Sequence, residues 1–546
     1  MSVLLLSGQG PEFKNRAYLD GSLFDPRWDG IRGANRPLAG LSLASLRYQD
    51  SAGAWRPLMR TKTGGIPCLV TYVLESILYG LEEDYESFHL DHVWTGDAEP
   101  STANPEVVLL STTFICNRPT LARAITWIED RYADVPLILG GQYSNLKYAT
   151  ILRDHPQVSF VVRGDGETAL PALLHALRTG GRPEQVPNLV WRDWTTGKLR
   201  INPMDYIDLD IYPAPAFPGS QAVLPYESMR GCPFSCRFCS YPAASPQWRH
   251  KSADKILADW MGYAAHNNVR HIQAMDSTFT VPKPRLLQLL PRLSTAPFTW
   301  EAYTRANAIH SAELVAALEA AHCHKLSIGF ESMSPTTLAY MRKQVRAEHN
   351  RRAHDLLAAS DIRYRVSYMV GYPGETAGDF ALTARYLREE YTGHFMLSVF
   401  SFLDETMPVW QDAERFGLTV ATPDDPDYSW SHNGMDVAEA QALHRHTLDA
   451  TRWGNDRAVL LLWQADYLTP LIPGASRHTA LRLEKAIERL AMLPVDYVNQ
   501  PDEQIRRAYK LLITLARDGV QPCDGQGRPI DVLELLTQTT GEAVPS

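Results

Sequence analysis

The chain has 546 residues, with 53 Lys+Arg against 62 Asp+Glu and a formal net charge of -9. Its 45% hydrophobic and 21% charged residues exclude a disordered, collagen-like or coiled-coil chain, and the mild acidic excess argues against a nucleic-acid partner, which normally faces a basic surface. The length suits three or four domains, or two large ones with an appendix.

The start, MSVLLLSGQGPEF, lacks a basic n-region and carries only a short apolar run, so it reads as a buried strand and not as a signal peptide. No stretch approaches the roughly 18 to 20 apolar residues of a membrane span. Seven cysteines are too few for a disulfide scaffold. A soluble, cytoplasmic, monomeric protein with reduced thiols is expected, with no membrane and no nucleic acid among its partners.

Over residues 1–205 short apolar runs at 3–6, 107–111, 137–139 and 160–162 alternate with helix-like stretches near 72–79, 120–131 and 168–177. This alternation predicts an α/β, Rossmann-like domain with a parallel sheet. The predicted strands end in small or polar residues: Gly8-Gln9-Gly10, Ser111-Thr112-Thr113, Gly140-Gly141-Gln142 and Gly164-Asp165-Gly166-Glu167. Loops after parallel strands share one edge, where such folds bind ligands. Singly, each is an ordinary turn; four at one edge point to a ligand.

Residues 206–226 carry Pro213, Pro215, Pro218 and Pro225 and read as an extended linker. Residues 227–430 return to βα units, with strands near 272–275, 300–303, 326–330, 366–370 and 396–400 and helices near 253–265, 284–293, 312–321 and 347–359. These predict a full or partial βα-barrel. Residues 431–546 read as a small α-helical domain, helical near 437–451 and 477–493.

Three of the seven cysteines, Cys232, Cys236 and Cys239, fall within eight positions as C-x3-C-x2-C. Intracellular thiolates gathered this tightly hold zinc or an iron–sulfur cluster. Structural zinc wants four ligands, usually as two pairs, and no second pair follows; His250 is a lone candidate. A [4Fe–4S] cluster on three cysteines leaves one iron open to an external ligand. The remaining cysteines, Cys68, Cys116, Cys323 and Cys523, are scattered and read as small buried hydrophobes. His322 and His324 flank Cys323 but cannot converge with it on one ion. Trp430, His432 and Met435 mark the junction between barrel and tail and read as packing or as a substrate contact.

Cys232, Cys236 and Cys239, with Phe238 before the last, resemble the signature of radical S-adenosylmethionine enzymes. The downstream turns agree in order: Asp276-Ser277-Thr278-Phe279, Arg305 in Tyr303-Thr304-Arg305-Ala306-Asn307, Gly329-Phe330-Glu331-Ser332 and Gly371-Tyr372-Pro373-Gly374-Glu375-Thr376. The resemblance implies that Phe238, Asp276, Ser277, Arg305, Glu331, Ser332 and Gly371 contact S-adenosylmethionine. Val161 to Thr168, with Ser111-Thr112-Thr113 and Leu139-Gly140-Gly141, is similar to the branch that carries an amino-terminal cobalamin-binding domain. That implies cobalamin contacts at Gly8, Gln9, Gly10, Ser111, Thr112, Thr113, Gly140, Gly141, Gln142, Gly164, Asp165, Gly166 and Glu167. The D-x-H-x-x-G loop that supplies a cobalt-ligating histidine in many cobalamin proteins does not occur, and the segment 60–68 is the candidate for the lower face of the corrin.

The resemblance covers residues 1–430 and implies a cobalamin-dependent radical S-adenosylmethionine methyltransferase acting on an unactivated carbon of a small-molecule intermediate. One S-adenosylmethionine would methylate cob(I)alamin, and a second would give the 5′-deoxyadenosyl radical that removes a substrate hydrogen atom. An external one-electron donor of the flavodoxin or ferredoxin type is implied. A non-methylating rearrangement or oxidative cyclisation with the same cofactors, and a zinc-stapled binding module, are the alternatives.

Overall fold

Largely apolar strands can be buried on both faces, and the chain arranges them as one mostly parallel and one wholly parallel sheet. The computed structural model describes residues 2–8, 45–58, 67–115, 117–402, 406–421, 429–460 and 472–531. The first sheet runs β1 (Ser2–Ser7), β4 (Asp84–His89), β5 (Val107–Ser111), β6 (Leu137–Gly140), β7 (Val158–Val162), β8 (Leu189–Arg192) and β9 (Leu199–Ile201), in the order β4-β1-β5-β6-β7-β8-β9. Its first five strands are parallel; β8 and β9 continue it antiparallel. Successive side chains point to opposite faces. Leu4, Leu6, Val108 and Leu110 meet helices Arg118–Tyr132 and Gln142–Asp154 on one side, and Val3, Leu5, Val107 and Leu109 meet helices Leu69–Gly80 and Gly166–Thr179 on the other. Between β1 and β4 lie β2 (Leu46–Gln49) and β3 (Trp55–Pro57), which form a separate small sheet.

The second sheet is all parallel: β10 (Val223–Tyr226), β13 (His271–Ala274), β14 (Thr299–Arg305), β15 (Cys323–Glu331), β16 (Arg363–Val370), β17 (Gly393–Val399) and β20 (Ala458–Leu460), in that order. Among the described residues β10 and β20 are its two edges, so it is a partial barrel. Its outer face packs Ile272, Trp300, Leu326, Val366 and Phe395 under helices that include Ala253–Asn267 and Ala377–Glu389. Two short ladders accompany it: β11 (Met229–Arg230) with β12 (Arg249–His250), and β18 (Thr419–Val420) with β19 (Trp430–Ser431).

Two expectations change. The proline-rich stretch is not extended linker through Tyr226: its last four residues are β10, with Pro225 opposite Gln273. An edge strand tolerates a residue that cannot donate to the ladder. The tail is helical, with Val437–Gly454, Arg477–Asp496 and Pro501–Arg517, yet β20 joins the barrel sheet and β21 (Val520–Pro522) pairs with β2. Leu483, Ile487 and Leu490 share one core with Val366 and Leu397. The strand β4 was not foreseen because only Phe88 on it is buried.

Arg452 locks the tail. Its side chain is fully buried and meets Asp496 at 2.8 Å, Asp449 at 3.0 Å and Glu488 at 3.5 Å. Removing the cation leaves buried carboxylates uncompensated, so Arg452→Met is expected to cost about 3–5 kcal/mol, read as a lower urea midpoint by tryptophan fluorescence.

Candidate active site

The ladder β11–β12 closes a loop, residues 231–248, that carries all three clustered cysteines. Gly231 starts it at φ +76°, where a Cβ would lie 2.7 Å from the Gln247 carbonyl oxygen; only glycine fits. The loop is tied to the barrel from several sides. The buried Asp276 carboxylate accepts from Ser228 N–H at 2.7 Å, Ser228 Oγ at 2.6 Å and Met229 N–H at 2.9 Å. Burial pushes the Asp276 carboxyl up to about 6, against those hydrogen bonds and the charge of Arg285. Ser277 Oγ donates to the Gly231 carbonyl at 2.9 Å. Arg237 donates its N–H to Met341 O at 2.9 Å, accepts from Val409 N–H at 2.9 Å and pairs with Asp412 at 3.2 Å. Asp276, buried, and Ser277, exposed, both bind the backbone entering the cysteine loop.

Cys236 is buried, and Cys232 and Cys239 are half-buried. Burial pushes the Cys239 thiol up to about 11, with the neighbouring Cys236 and Cys232 adding to the rise. Such crowded thiols become thiolates together when a metal compensates their charge. Among the described residues no three His, Cys, Asp or Glu side chains gather as around a single ion. A cubane cluster is wider than one ion, and its thiolates stand correspondingly further apart.

Below the loop, the ends of β14 and β15 converge. Arg305 lies 3.8 Å over the Phe234 ring, with Nη1 3.4 Å from Cys236 Sγ, and Nη2 donates to the Lys343 carbonyl. Glu331, at φ +64°, pairs with Lys343 at 2.9 Å. The space that pair occupies is where a Cβ on Gly329 would fall. Lys343 also stands 5.4 Å from the Phe238 ring centroid. Cys236, Phe238, Arg305 and Glu331 are thus brought together. Ser332 is not: its Oγ accepts from Ser334 N–H at 3.0 Å and lies 3.3 Å from Thr383 Oγ1. Lys343 carries no sequence motif and was missed.

The barrel lumen is polar. Glu301 meets Lys325 at 2.9 Å, His271 at 3.3 Å and Gln273 at 3.3 Å. One layer up, Arg365 donates to Ser327 Oγ at 3.0 Å and to Tyr303 Oη at 3.0 Å. Above these, Ser367, Met369, Met396 and Ser398 are only half-buried, so the lumen opens toward the cysteine loop.

Gly371, at φ +89°, would place a Cβ 2.5 Å from the Trp430 ring, and its N–H donates to Glu375 at 2.8 Å. His432 accepts at Nδ1 from the Gly434 and Met435 N–H groups at 3.0 and 3.3 Å and stacks on Trp430 with 5.3 Å between centroids. Trp430 and Met435 are buried, which makes this junction packing, not a substrate contact.

At the carboxyl edge of the first sheet, close approach again demands glycine. A Cβ on Gly8 would lie 2.5 Å from His89 Nε2, and one on Gly141 2.7 Å from Thr113 N. Thr112 Oγ1 donates to Gly140 O at 2.8 Å and accepts from Ser144 N–H at 3.0 Å, holding adjacent strand ends together. Ser111 is buried, with its Oγ 3.4 Å from Thr113 Oγ1, and Gln142 is exposed. Nothing lies within 4 Å of a Cβ built on Gly166. Gln9, Gly10, Cys116 and residues 60–66 lie outside the described residues. Asp165 and Glu167 do not face an open edge. Both are buried and pair with arginines of the barrel side, Asp165 with Arg249 at 2.7 Å and with Arg230 at 2.9 Å, and Glu167 with Arg230. The arginines were missed because nothing in sequence links them to residues some 60 to 80 positions earlier. A cavity of about 280 Å³ opens on the same seam, lined by Asn145, Lys147, Arg163, Gly164, Met204 and Ala244.

Residues 226–387 match the Radical SAM superfamily model. An uncharacterized methyltransferase of Pyrococcus horikoshii is 24% identical over 274 residues, 47% of this chain and 58% of that protein. The anaerobic magnesium-protoporphyrin IX monomethyl ester cyclase of Synechocystis is 24% identical over 276 residues, 48% and 55% of the two chains. The cobalamin-dependent radical SAM methyltransferase TokK of Streptomyces tokunonensis is 26% identical over 300 residues, 50% and 44%. The chain thus spans about half the length of these curated relatives. Among solved structures, the radical S-adenosylmethionine methyltransferase TsrM of Kitasatospora setae, with tryptophan substrate and a SAM analogue, superposes with a TM-score of 0.56 at 18% identity, over 83% of this chain and 98% of that one. The cobalamin-dependent S-adenosylmethionine radical enzyme OxsB, with aqua-cobalamin and S-adenosylmethionine, gives 0.56 at 15% identity, over 87% and 76%. These likenesses establish the fold. No helix among the described residues is long and apolar enough to cross a membrane.

Glu375, which holds Gly371, offers a pH test. Burial pushes its carboxyl up to about 8 from an ordinary 4.5, although Gly371 and Thr337 donate to it. A raised carboxyl pKa means the folded state binds the extra proton, so its stabilisation is complete below about pH 4.5 and fades as pH rises through 8. Glu375→Gln, which mimics the protonated acid, is expected to flatten the fall in melting temperature between pH 5 and 8.5.

Proposed function

We propose, for a chain whose residues 226–387 belong to the radical SAM superfamily and whose fold is that of its cobalamin-dependent members, the transfer of a methyl group to an unactivated carbon of a small molecule. The observation that carries this reading is the placing of Cys232, Cys236 and Cys239 in a loop clamped over the open end of a polar barrel, against the glycine-lined edge of a second parallel sheet. When bound, the iron–sulfur cluster, S-adenosylmethionine and cobalamin supply the electron, the radical and the methyl carrier.

The chain's own residues bind, orient and enclose. Cys232, Cys236 and Cys239 would ligate the cluster, and Asp276, Ser277 and Arg237 hold their loop in place. Arg305 and Glu331 sit beneath the loop, with the loop's own Phe238 beside them across Lys343, where the ligand on the open iron would lie. Gly371 lets the turn after β16 approach Trp430 without a side chain between. Gly8, Thr113, Gly140 and Gly141 leave the first sheet's edge low enough for a broad, flat ring. Among the described residues the polar lumen and the seam cavity, whose lining mixes Asn145, Lys147 and Arg163 with Met204 and Ala244, are available to a substrate.

A methyltransferase and a cyclase among the relatives at equal identity keep a second reading in view, a non-methylating rearrangement or oxidative cyclisation with the same parts. Anaerobic turnover with methyl-labelled S-adenosylmethionine separates them: label in the product supports methyl transfer, and an unlabelled product supports the alternative. A colourless protein that contains zinc and takes up no iron would exclude both.

Cys236→Ala is expected to abolish the iron–sulfur absorbance after anaerobic reconstitution while cobalamin uptake, read from its visible bands, stays within about twofold, because the two sites stand on different sheets. Loss of both together would contradict that division.

A further inference from the structure

Arg230 and Arg249 are direct cross-strand partners in a ladder only two residues long. Such a ladder is marginal by itself, and like charges set opposite one another oppose it. The compensating anion comes from the other sheet. Asp165 Oδ1 accepts from Arg230 Nη1 at 2.9 Å and from Arg249 Nη2 at 3.0 Å, and Oδ2 accepts from Arg249 Nη1 at 2.7 Å. Its side chain is only 2% exposed, against 17% and 13% for the arginines. The Ile207 N–H also donates to Oδ2 at 2.9 Å, which fixes the carboxylate from behind. Glu167 and Glu227 add to Arg230 alone. Asp165 is thus the one described carboxylate that touches both ends of the cysteine loop.

We propose that Asp165 is a positioning residue for the cluster: by bridging Arg230 and Arg249 it closes the cysteine loop from the first sheet, so the geometry of the cluster is set jointly by both domains. The inference rests on the functional reading above only in naming the loop's cargo. With the loop's roots held at the carboxyl end of β7, the edge that would carry the corrin and the loop that would carry the cluster are tied to each other by buried carboxylates, of which Asp165 reaches both roots and Glu167 reaches Arg230.

The test is a charge cycle in the full chain, reconstituted anaerobically. Asp165→Asn leaves two guanidiniums opposed, and the double variant Asp165→Asn with Arg249→Met removes that opposition. Asp165→Asn is expected to retain cobalamin, to lose the change that S-adenosylmethionine makes in the reduced cluster's EPR spectrum, and to form 5′-deoxyadenosine at least tenfold more slowly. The double variant is expected to regain the EPR response and most of the rate. Chymotryptic cleavage after Phe234 and Phe238 is expected to speed up in the single variant and slow again in the double. A single variant that behaves as the parent, or a double variant no better than the single, overturns the proposal. If Asp165→Asn is not recovered folded, the double variant decides alone: folded and protected it supports the clasp, unrecoverable it refutes it. A parent chain that takes up no cluster sinks the functional reading, and the proteolysis arm still judges the clasp.

Discussion

A carboxylate buried between two guanidiniums joins the halves of this molecule. Removing charges from water is costly, and the cost is offset only when the partners are close and their remaining hydrogen-bonding groups are satisfied. Asp165 meets that condition with Arg230, Arg249 and the Ile207 amide. The arginines outweigh burial and hold its carboxyl below the ordinary range. Because the arginines root the cysteine loop, the seam and the loop are one construction.

The same economy of polar contacts recurs inside the barrel. Asp276 gathers three donors from the strand leading into the loop, while Arg285 donates to the carbonyls of Ser228, Lys251, Phe279 and Val281. Parallel strands deliver every following turn to one end, and these two residues convert that common end into a fixed platform. Above the Glu301–Lys325 layer the lumen loosens, so the rigid part of the barrel lies away from the loop and the accessible part lies beneath it.

Much of this was legible in the sequence because the signals are local. Fully apolar runs such as Val107–Leu110 name buried strands, and C-x3-C-x2-C suggests a metal loop through ligand chemistry alone. The turns at Gly329 and Gly371 were recognisable as glycines, and their reasons emerged as room for the Glu331–Lys343 pair and contact with Trp430. Polar edge strands and a proline-bearing edge strand were not legible, since periodicity requires burial on at least one regular face.

Function-bearing residues divided along the same line. By itself the sequence determined two parallel-sheet units, the cysteine cluster and the order of turns behind it, because those depend on spacing within a few residues. Only the tertiary structure decided that Asp165 and Glu167 face arginines, that Asp276 and Ser277 bind backbone, that His432 is packing, and that Lys343 joins the site. Each of those outcomes turns on which groups meet across distant segments, and the pairing of buried charges and donors is a property of the folded packing that no local pattern encodes.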